Sequence, residues 1–111
     1  MKKVLILVVT TIVLALFFIS FLYKKEANES KNAIDICIKE CKKALASGMD
    51  LSKGPCLLNP IKEMPDWVCD VAHSPREPID NLPENQCSSF REGKATHFVE
   101  VSPTCELIRV Y

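Results

Sequence analysis

The chain has 111 residues, and its 14 basic and 14 acidic residues give a formal net charge of zero. It carries no stripe of lysine or arginine, and this argues against nucleic acid as a partner. Because many of its hydrophobic residues are gathered at the N-terminus, the rest of the chain suffices for only one small domain.

The first predicted element is a transmembrane helix over residues 4–23, VLILVVTTIVLALFFISFLY, which contain no charged side chain. At about 1.5 Å per residue, a helix of this length spans about 30 Å, the thickness of the hydrocarbon core of a bilayer. We therefore expect residues 4–23 to contact lipid, with residues 1–3 on the cytoplasmic side.

A cleaved signal peptide is the alternative for this apolar run. The apolar core of a signal peptide usually has about 7–15 residues and is followed by small residues at the cleavage site. Here the run is longer and ends in FLYKK, residues 21–25, without an A-x-A pattern. This favours an uncleaved signal-anchor. Lysine pairs flank the run on both sides, so the orientation depends mainly on the cysteines.

All six cysteines follow the anchor, in a region with a formal charge of −2. Small extracytoplasmic domains often rely on disulfides, and an even number of cysteines predicts up to three, each stabilising by about 2–4 kcal/mol. The alternative is reduced thiols in the cytosol, some of them binding metal. We favour disulfides and an extracytoplasmic domain, with these disulfide residues: Cys37, Cys41, Cys56, Cys69, Cys87 and Cys105.

Residues 24–47 are predicted to form a juxtamembrane amphipathic helix that ends before Gly48. Whether this helix continues from the anchor without a break is left open by the sequence. Cys37 and Cys41 share its apolar face, where their side chains run in parallel and cannot readily join each other. We therefore expect each to reach a different distant segment. The apolar stripe is Ala33, Ile34, Cys37, Ile38, Cys41, Ala44 and Leu45.

Residues 48–111 are predicted to form a Cys-rich extracytoplasmic domain. Its first part, residues 49–65, is expected to be irregular because Gly and Pro interrupt it. Residues 66–72 form either a strand, with Trp67, Cys69 and Val71 on one face, or a single helical turn. Three prolines predict an extended loop over residues 74–84.

The C-terminal residues carry the clearest β pattern. Residues 96–101 and 105–111 are rich in β-branched and aromatic side chains, and residues 102–104 between them predict a hairpin. The expected fold class is α+β, with the amphipathic helix packed on a small antiparallel sheet that contains this hairpin. Trp67 and Phe98 are expected among the largest buried side chains.

Ionisable side chains are concentrated in residues 66–81, DWVCDVAHSPREPIDN. One interpretation makes His73 a general base or a metal ligand that Asp70 or Asp80 orients. In the other, which we favour, His73 and Arg76 bond to loop carbonyls and the carboxylates are solvated.

A metal site is the second chemical hypothesis, based on Cys37-x3-Cys41 and Cys69-x3-His73. Four nitrogen and sulfur ligands would suit tetrahedral zinc, but the spacing departs from paired C-x2-C and leaves three cysteines unused. A cysteine nucleophile paired with a histidine is likewise disfavoured if the cysteines form disulfides. We predict no catalytic residue, cofactor or metal; the least unsuitable metal candidates are Cys69, His73 and His97.

Five short strings resemble a known group of proteins: GPCL, DWVCDVAHSPR, DN, ENQC and HFVEVSPTC, between Gly54 and Cys105. They are similar to a group of short, uncharacterised archaeal proteins with an N-terminal membrane segment. The resemblance implies an archaeal, membrane-anchored setting and transfers no catalytic residue.

The function that the sequence favours is that of a non-enzymatic, disulfide-stabilised domain on the outer face of the membrane. It would bind another envelope protein or serve in cell-surface structure. The alternative is a small hydrolase or metal-binding protein that uses His73, His97 and nearby carboxylates.

Overall fold

The computed structural model describes all 111 residues, which divide into two compact units, Met1–Ser30 and Lys31–Tyr111. The first unit is helical from Lys2 onward, and the second contains the end of the same helix followed by a small sheet. The α+β fold class predicted from the sequence is confirmed.

Helix α1 runs from Lys2 to Ala46 and is the one helix that is long and apolar enough to cross a membrane. Every side chain from Val4 to Tyr23 is exposed in the structure. The hydroxyls of Thr10 and Thr11 donate to carbonyl oxygens three residues earlier, both at 2.8 Å, so neither threonine presents an unpaired hydroxyl donor. An exposed apolar surface of this length requires an apolar surrounding.

The C-terminal turns of α1 present a narrow buried face of small side chains: Ala33, Cys37, Cys41 and Ala44. The helix ends as predicted before Gly48, which adopts the left-handed conformation with φ of 86°. The backbone amide of Gly48 donates a hydrogen bond to the carbonyl oxygen of Leu45, and the amide of Met49 donates to the carbonyl oxygen of Ala44. These bonds satisfy two carbonyl groups in the last turn of the helix.

Four strands form one sheet in the order β1-β2-β3-β4: Cys56–Leu58, Trp67–Val71, His97–Val101 and Leu107–Val110. The predicted C-terminal hairpin is present as the antiparallel pair β3–β4. The prediction that the sheet is antiparallel is wrong at its centre, where β2 and β3 are parallel. The reason is the long connection between these strands, which returns the chain to the same end of the sheet.

The two faces of the sheet are covered unequally. Trp67, Cys69 and Val71 of β2 lie in the main core with the buried face of α1. The opposite face packs against the short helix α2, Ser88–Arg91, and the residues that flank it, in a smaller cluster of Val68, Cys87 and Ala95. Trp67 is buried as predicted, but Phe98 is half-exposed because it lies on this second, thinly covered face.

All six cysteines form disulfides, and none links Cys37 to Cys41. Cys37 is bonded to Cys69 in β2 and Cys41 to Cys105 in the β3–β4 loop, so the two cysteines of α1 reach different segments. The third disulfide joins Cys56 of β1 to Cys87 just before α2.

The connection from β2 to β3 contains two 3₁₀ turns, Pro78–Asn81 and Pro83–Asn85, where the sequence predicted an extended loop. The buried carboxylate of Asp80 organises its first half. It accepts hydrogen bonds from the backbone amides of His73 (3.0 Å) and Glu77 (2.9 Å). A carboxylate with several such donors fixes the loop without a hydrophobic core of its own.

Gly54 is predicted to be essential because it adopts φ of 66° beside this carboxylate. A Cβ at Gly54 would lie 2.5 Å from Oδ1 of Asp80 and 3.2 Å from the backbone oxygen of Val71. Gly54→Ala should lower the free energy of unfolding by roughly 2–4 kcal/mol, from backbone strain and disturbed buried hydrogen bonds. Denaturant unfolding of the full chain in detergent micelles measures this loss.

Gly93→Ala is the matched control, because Gly93 also has positive φ (76°) but no atom lies within 4 Å of its added Cβ. It should cost only the backbone strain, about 1–2 kcal/mol. Equal losses for the two variants would show that the contact between Gly54 and Asp80 is unimportant.

Candidate functional site

The three candidate metal ligands from the sequence are not brought together. Cys69 is bonded to Cys37. His97 lies beside Trp67 at the first residue of the parallel strand pair, whereas His73 lies beyond the other end of β2, after Val71 and Ala72. At about 3.3 Å per residue, the two histidines are separated by a distance on the order of 15 Å or more along the sheet.

Each histidine has a separate set of partners. Nδ1 of His73 lies 2.9 Å from Oδ1 of Asp80. Because a carboxylate only accepts hydrogen bonds, this contact assigns the proton of His73 to Nδ1. His97 stacks on Trp67, with ring centroids 4.5 Å apart, and its Nδ1 lies 3.1 Å from the carbonyl oxygen of Tyr111. These contacts hold loops and chain ends in place.

The pKa of Asp80 is set by two opposed effects. Burial raises it, but the amides of Glu77 and His73 and the His73 ring together hold the pKa below its ordinary value. Asp80 is therefore ionised at neutral pH. Of the two carboxyls that the sequence offered as partners of His73, Asp80 is the one in contact.

Arg76 connects this loop to the sheet. Its Nε donates to Asn81 (2.8 Å), one terminal nitrogen donates to the carbonyl of Asp80 (3.2 Å), and the other donates to Oε1 of Glu100 (2.9 Å). The favoured interpretation of the sequence, with His73 and Arg76 bonded to loop carbonyls and the carboxylates solvated, is correct only for the bond from Arg76 to the carbonyl of Asp80. The His73 ring contacts a carboxylate instead, Arg76 also bonds to Glu100, and the carboxyl groups of Asp70 and Asp80 are buried.

Between the sheet and α2 lies a cavity of about 230 Å³, which we name the Asp70 cavity. Its apolar walls are Val68, Phe90 and Phe98, and Cys87 also lines it. Its polar walls are Asp70, Arg76, Gln86, Arg91, Glu100 and Arg109. The unequal covering of the two sheet faces explains its position, because a four-residue helix is too short to fill the space.

Asp70 is the unusual residue of this cavity. It is 9% exposed, and its Oδ1 has no hydrogen-bond partner. It lies directly opposite Glu100 in the parallel pair of strands. Burial, and after it the charge of Glu100, raises the pKa of Asp70 to about 8, so this carboxyl holds its proton at neutral pH.

A protonated Asp70 makes the charge of the cavity positive. Glu100 is then the only carboxylate among the polar walls, and it pairs with Arg76 at 2.9 Å and lies 3.6 Å from Arg109. Arg91 adds a third guanidinium group. Three guanidinium groups against one carboxylate leave two positive charges unbalanced, and this favours an anionic group as a ligand.

Cys56, Asp70 and Cys87 form the one cluster whose potential ligand atoms lie close together, all within 4.8 Å. The sulfurs of Cys56 and Cys87 are bonded to each other and hold no free thiolate for a metal. The position of Asp70 opposite Glu100 in adjacent strands was not predicted from the sequence. The available signal was that each is an acidic residue between apolar neighbours in a strand, on the same face as Val68 or Phe98.

Comparison of the chain with protein-family models, curated proteins and solved structures finds no match in any of the three.

The buried carboxyl of Asp70 predicts a pH-dependent stability. Its pKa is 3.8 in the ordinary case and about 8 in the fold, so between these values the folded chain keeps a proton that the unfolded chain has lost. Stability contributed through this group therefore decreases as pH rises, by up to about 1.4 kcal/mol per pH unit. Asp70→Asn should remove this decrease. The free energy of unfolding of the variant should therefore exceed that of the wild type by an amount that grows from pH 5 to pH 7.

Denaturant unfolding of both proteins at a series of pH values measures this difference, and contributions from His73 and His97 cancel because both proteins contain them. Asp35→Asn, which removes an exposed carboxyl on α1, should leave the pH dependence unchanged. Parallel stability profiles for wild type and Asp70→Asn would contradict a proton held by Asp70.

Proposed function

We propose that the chain is a membrane-tethered extracytoplasmic domain that binds an acidic segment of an envelope protein at the Asp70 cavity. Residues 4–23 serve as the signal-anchor, and the disulfide-rich domain lies outside the cytoplasmic membrane. The archaeal setting implied by the resemblance of residues 54–105 is part of this proposal.

Two features support the extracytoplasmic location. The exposed apolar run is long enough to span a bilayer, and all six cysteines that follow it are bonded in disulfides. Disulfides persist mainly in oxidising compartments outside the cytoplasm. In the proposed orientation, the first three residues lie in the cytoplasm and the C-terminal domain lies outside.

The observation that carries the binding function is the pair of unbalanced positive charges beside an aromatic cluster. Phe98 packs edge-to-face with Phe90 and stacks on Tyr111, with centroids 4.9 and 5.5 Å apart. The guanidinium group of Arg109 lies over the Phe98 ring at 4.9 Å. Aromatic and arginine side chains are enriched at protein–protein interfaces, and arginine forms two hydrogen bonds with one carboxylate.

The alternative of a hydrolase or metal-binding protein that uses His73 and His97 together is not favoured. The two rings belong to separate hydrogen-bond networks at opposite ends of the β2–β3 pair. Catalysis by a pair of groups requires both within reach of one substrate atom.

Photo-crosslinking in intact cells tests the proposed function. A photoreactive residue in place of Gln86, which lines the cavity, should form an adduct with an envelope protein, and mass mapping should place the attachment in an acidic segment. Because the arginines supply the attraction, Arg91→Gln combined with Arg109→Gln should reduce the adduct at least fivefold. Protease added outside the cells should digest the adduct.

A photoreactive residue in place of Lys53, which is exposed outside the cavity, is the control and should give no such adduct. Attachment to a segment without acidic residues, or an adduct unchanged by the double arginine variant, would contradict the binding site. Protection from external protease, with digestion in inverted vesicles, would contradict the orientation.

A further inference from the structure

The Cys56–Cys87 disulfide differs from the other two in its surroundings. Cys56 is half-buried, whereas the other five cysteines are at most 5% exposed. Cys87 also lines the Asp70 cavity, and no other cysteine does. One residue of this disulfide is therefore more open to an external reagent than any residue of the two disulfides that join α1 to the sheet and its loop.

A buried carboxyl lies beside this disulfide. One carboxyl oxygen of Asp70 is within 4.8 Å of the sulfurs of both Cys56 and Cys87. No hydrogen bond within the chain occupies Oδ1 of Asp70. A single water, or a rotation of a released cysteine side chain, bridges a separation of this size for proton transfer.

Backbone carbonyl oxygens also surround the two sulfurs. The carbonyl oxygen of Cys69 lies 3.4 Å from the sulfur of Cys87 and 3.7 Å from that of Cys56. The carbonyl oxygen of Leu58 lies 3.7 Å from both. A disulfide has no proton to donate to these acceptors, but two thiols have. Carbonyl oxygens also lie 3.8 Å from the sulfurs of Cys37 and Cys41, so these contacts alone do not distinguish the site. They do mean that a sulfur leaving as a thiolate among these oxygens requires a proton.

We propose that Cys56–Cys87 is a thiol–disulfide exchange site that oxidises an external dithiol, with Asp70 as the group that protonates the leaving sulfur. This activity is independent of the acidic partner proposed above and does not require the arginines of the cavity.

The exchange proceeds in two balanced steps. A thiolate of the external dithiol attacks the sulfur of Cys56, and the bond between Cys56 and Cys87 breaks. The electron pair of that bond leaves on the sulfur of Cys87, which takes the proton of the Asp70 carboxyl.

In the second step, the remaining thiol of the dithiol gives its proton to the Asp70 carboxylate. Its sulfur attacks the mixed disulfide, and Cys56 leaves as a thiolate that takes a proton from water. The external dithiol is thereby oxidised to a disulfide by two electrons, and Cys56–Cys87 is reduced to two thiols.

The charged groups around Asp70 are compatible with this role. Burial and the facing carboxylate of Glu100 raise the pKa of Asp70 to about 8, which keeps the proton available at neutral pH. The charged groups that face Asp70 or share its cavity come from four elements: Glu100 of β3, Arg76 and Asp80 of the connection, Arg91 of α2 and Arg109 of β4.

Reduction of this disulfide leaves the main core bonded. Cys37–Cys69 and Cys41–Cys105 still join α1 to β2 and to the β3–β4 loop. Cys87 belongs to the smaller cluster on the other face of the sheet. The fold therefore persists when this disulfide is reduced to two thiols.

Reduction of the full chain in detergent micelles by dithiothreitol, followed by alkylation and mass mapping, tests the proposal. Cys56 and Cys87 should become alkylated at least tenfold faster than the other four cysteines. Their rate constant, divided by the thiolate fraction of dithiothreitol, should fall about tenfold from pH 7 to pH 9 as Asp70 loses its proton. In Asp70→Asn this normalised constant should be about tenfold lower at pH 7 and independent of pH.

Asp35→Asn, an exposed carboxyl variant, should behave as wild type. The other two disulfides report on folding in the same samples, because unfolding would make all three react rapidly. If Asp70→Asn unfolds, the wild-type pH profile decides the matter alone. A flat normalised profile in wild type, equal rates for the three disulfides, or an unaltered rate in folded Asp70→Asn would overturn the proposal.

Discussion

Two disulfides that leave the same face of α1 are the constraint on which the C-terminal unit depends. The fully buried side chains of α1 are all small, with Ala33 and Ala44 on either side of Cys37 and Cys41. Three half-buried isoleucines of the helix also pack against the main core: Ile34, Ile36 and Ile38. Apolar area buried at this face stabilises the fold by about 25 cal/mol per Å². The bonds to Cys69 and Cys105 each add roughly 2–4 kcal/mol by restricting the unfolded chain. The sheet is thus held to the helix by these two covalent bonds together with the packing of the isoleucines.

This constraint also explains a strained residue in the last hairpin. Cys105 has φ of 65°, a conformation that usually belongs to glycine. Its amide donates to Ser102 at 2.8 Å, and the amide of Ser102 donates to Glu106 at 2.8 Å, which closes the turn before β4. A glycine there could not bond to Cys41, so the side chain needed for the disulfide is kept at the cost of local strain.

Because disulfides attach α1 to one face of the sheet, the fold tolerates incomplete packing on the other face. That second face holds two acidic residues in adjacent parallel strands, Asp70 and Glu100, with no large helix above them. An apolar pair would stabilise the fold more, because burying a carboxyl without a partner is unfavourable. Polar groups that are costly to folding and gathered around a cavity are typical of sites that bind or react. Both proposals for this domain therefore concern the same face.

The sequence predicted the features that depend on local pattern. The apolar run, the stripe that carries Cys37 and Cys41, the end of α1 before Gly48 and the C-terminal hairpin all follow from residue spacing and turn chemistry. The parallel pairing of β2 with β3 did not follow, because it depends on the path of a long, proline-rich connection. The candidate site was missed for the same reason: only the parallel register places Asp70 opposite Glu100. The sequence offered either Asp70 or Asp80 as the partner of His73. The 3₁₀ turn at Pro78–Asn81 brings Asp80, and not Asp70, into contact with the ring.

The most direct test of this account is mass mapping of disulfides in protein taken from its native membrane, alkylated before extraction and digested without reduction. Three linked peptide pairs are expected: Cys37 with Cys69, Cys41 with Cys105 and Cys56 with Cys87. Any free thiols should be confined to the last pair. A peptide with a bond between Cys37 and Cys41, or free thiols at either of those positions, would contradict the covalent attachment of the helix to the sheet.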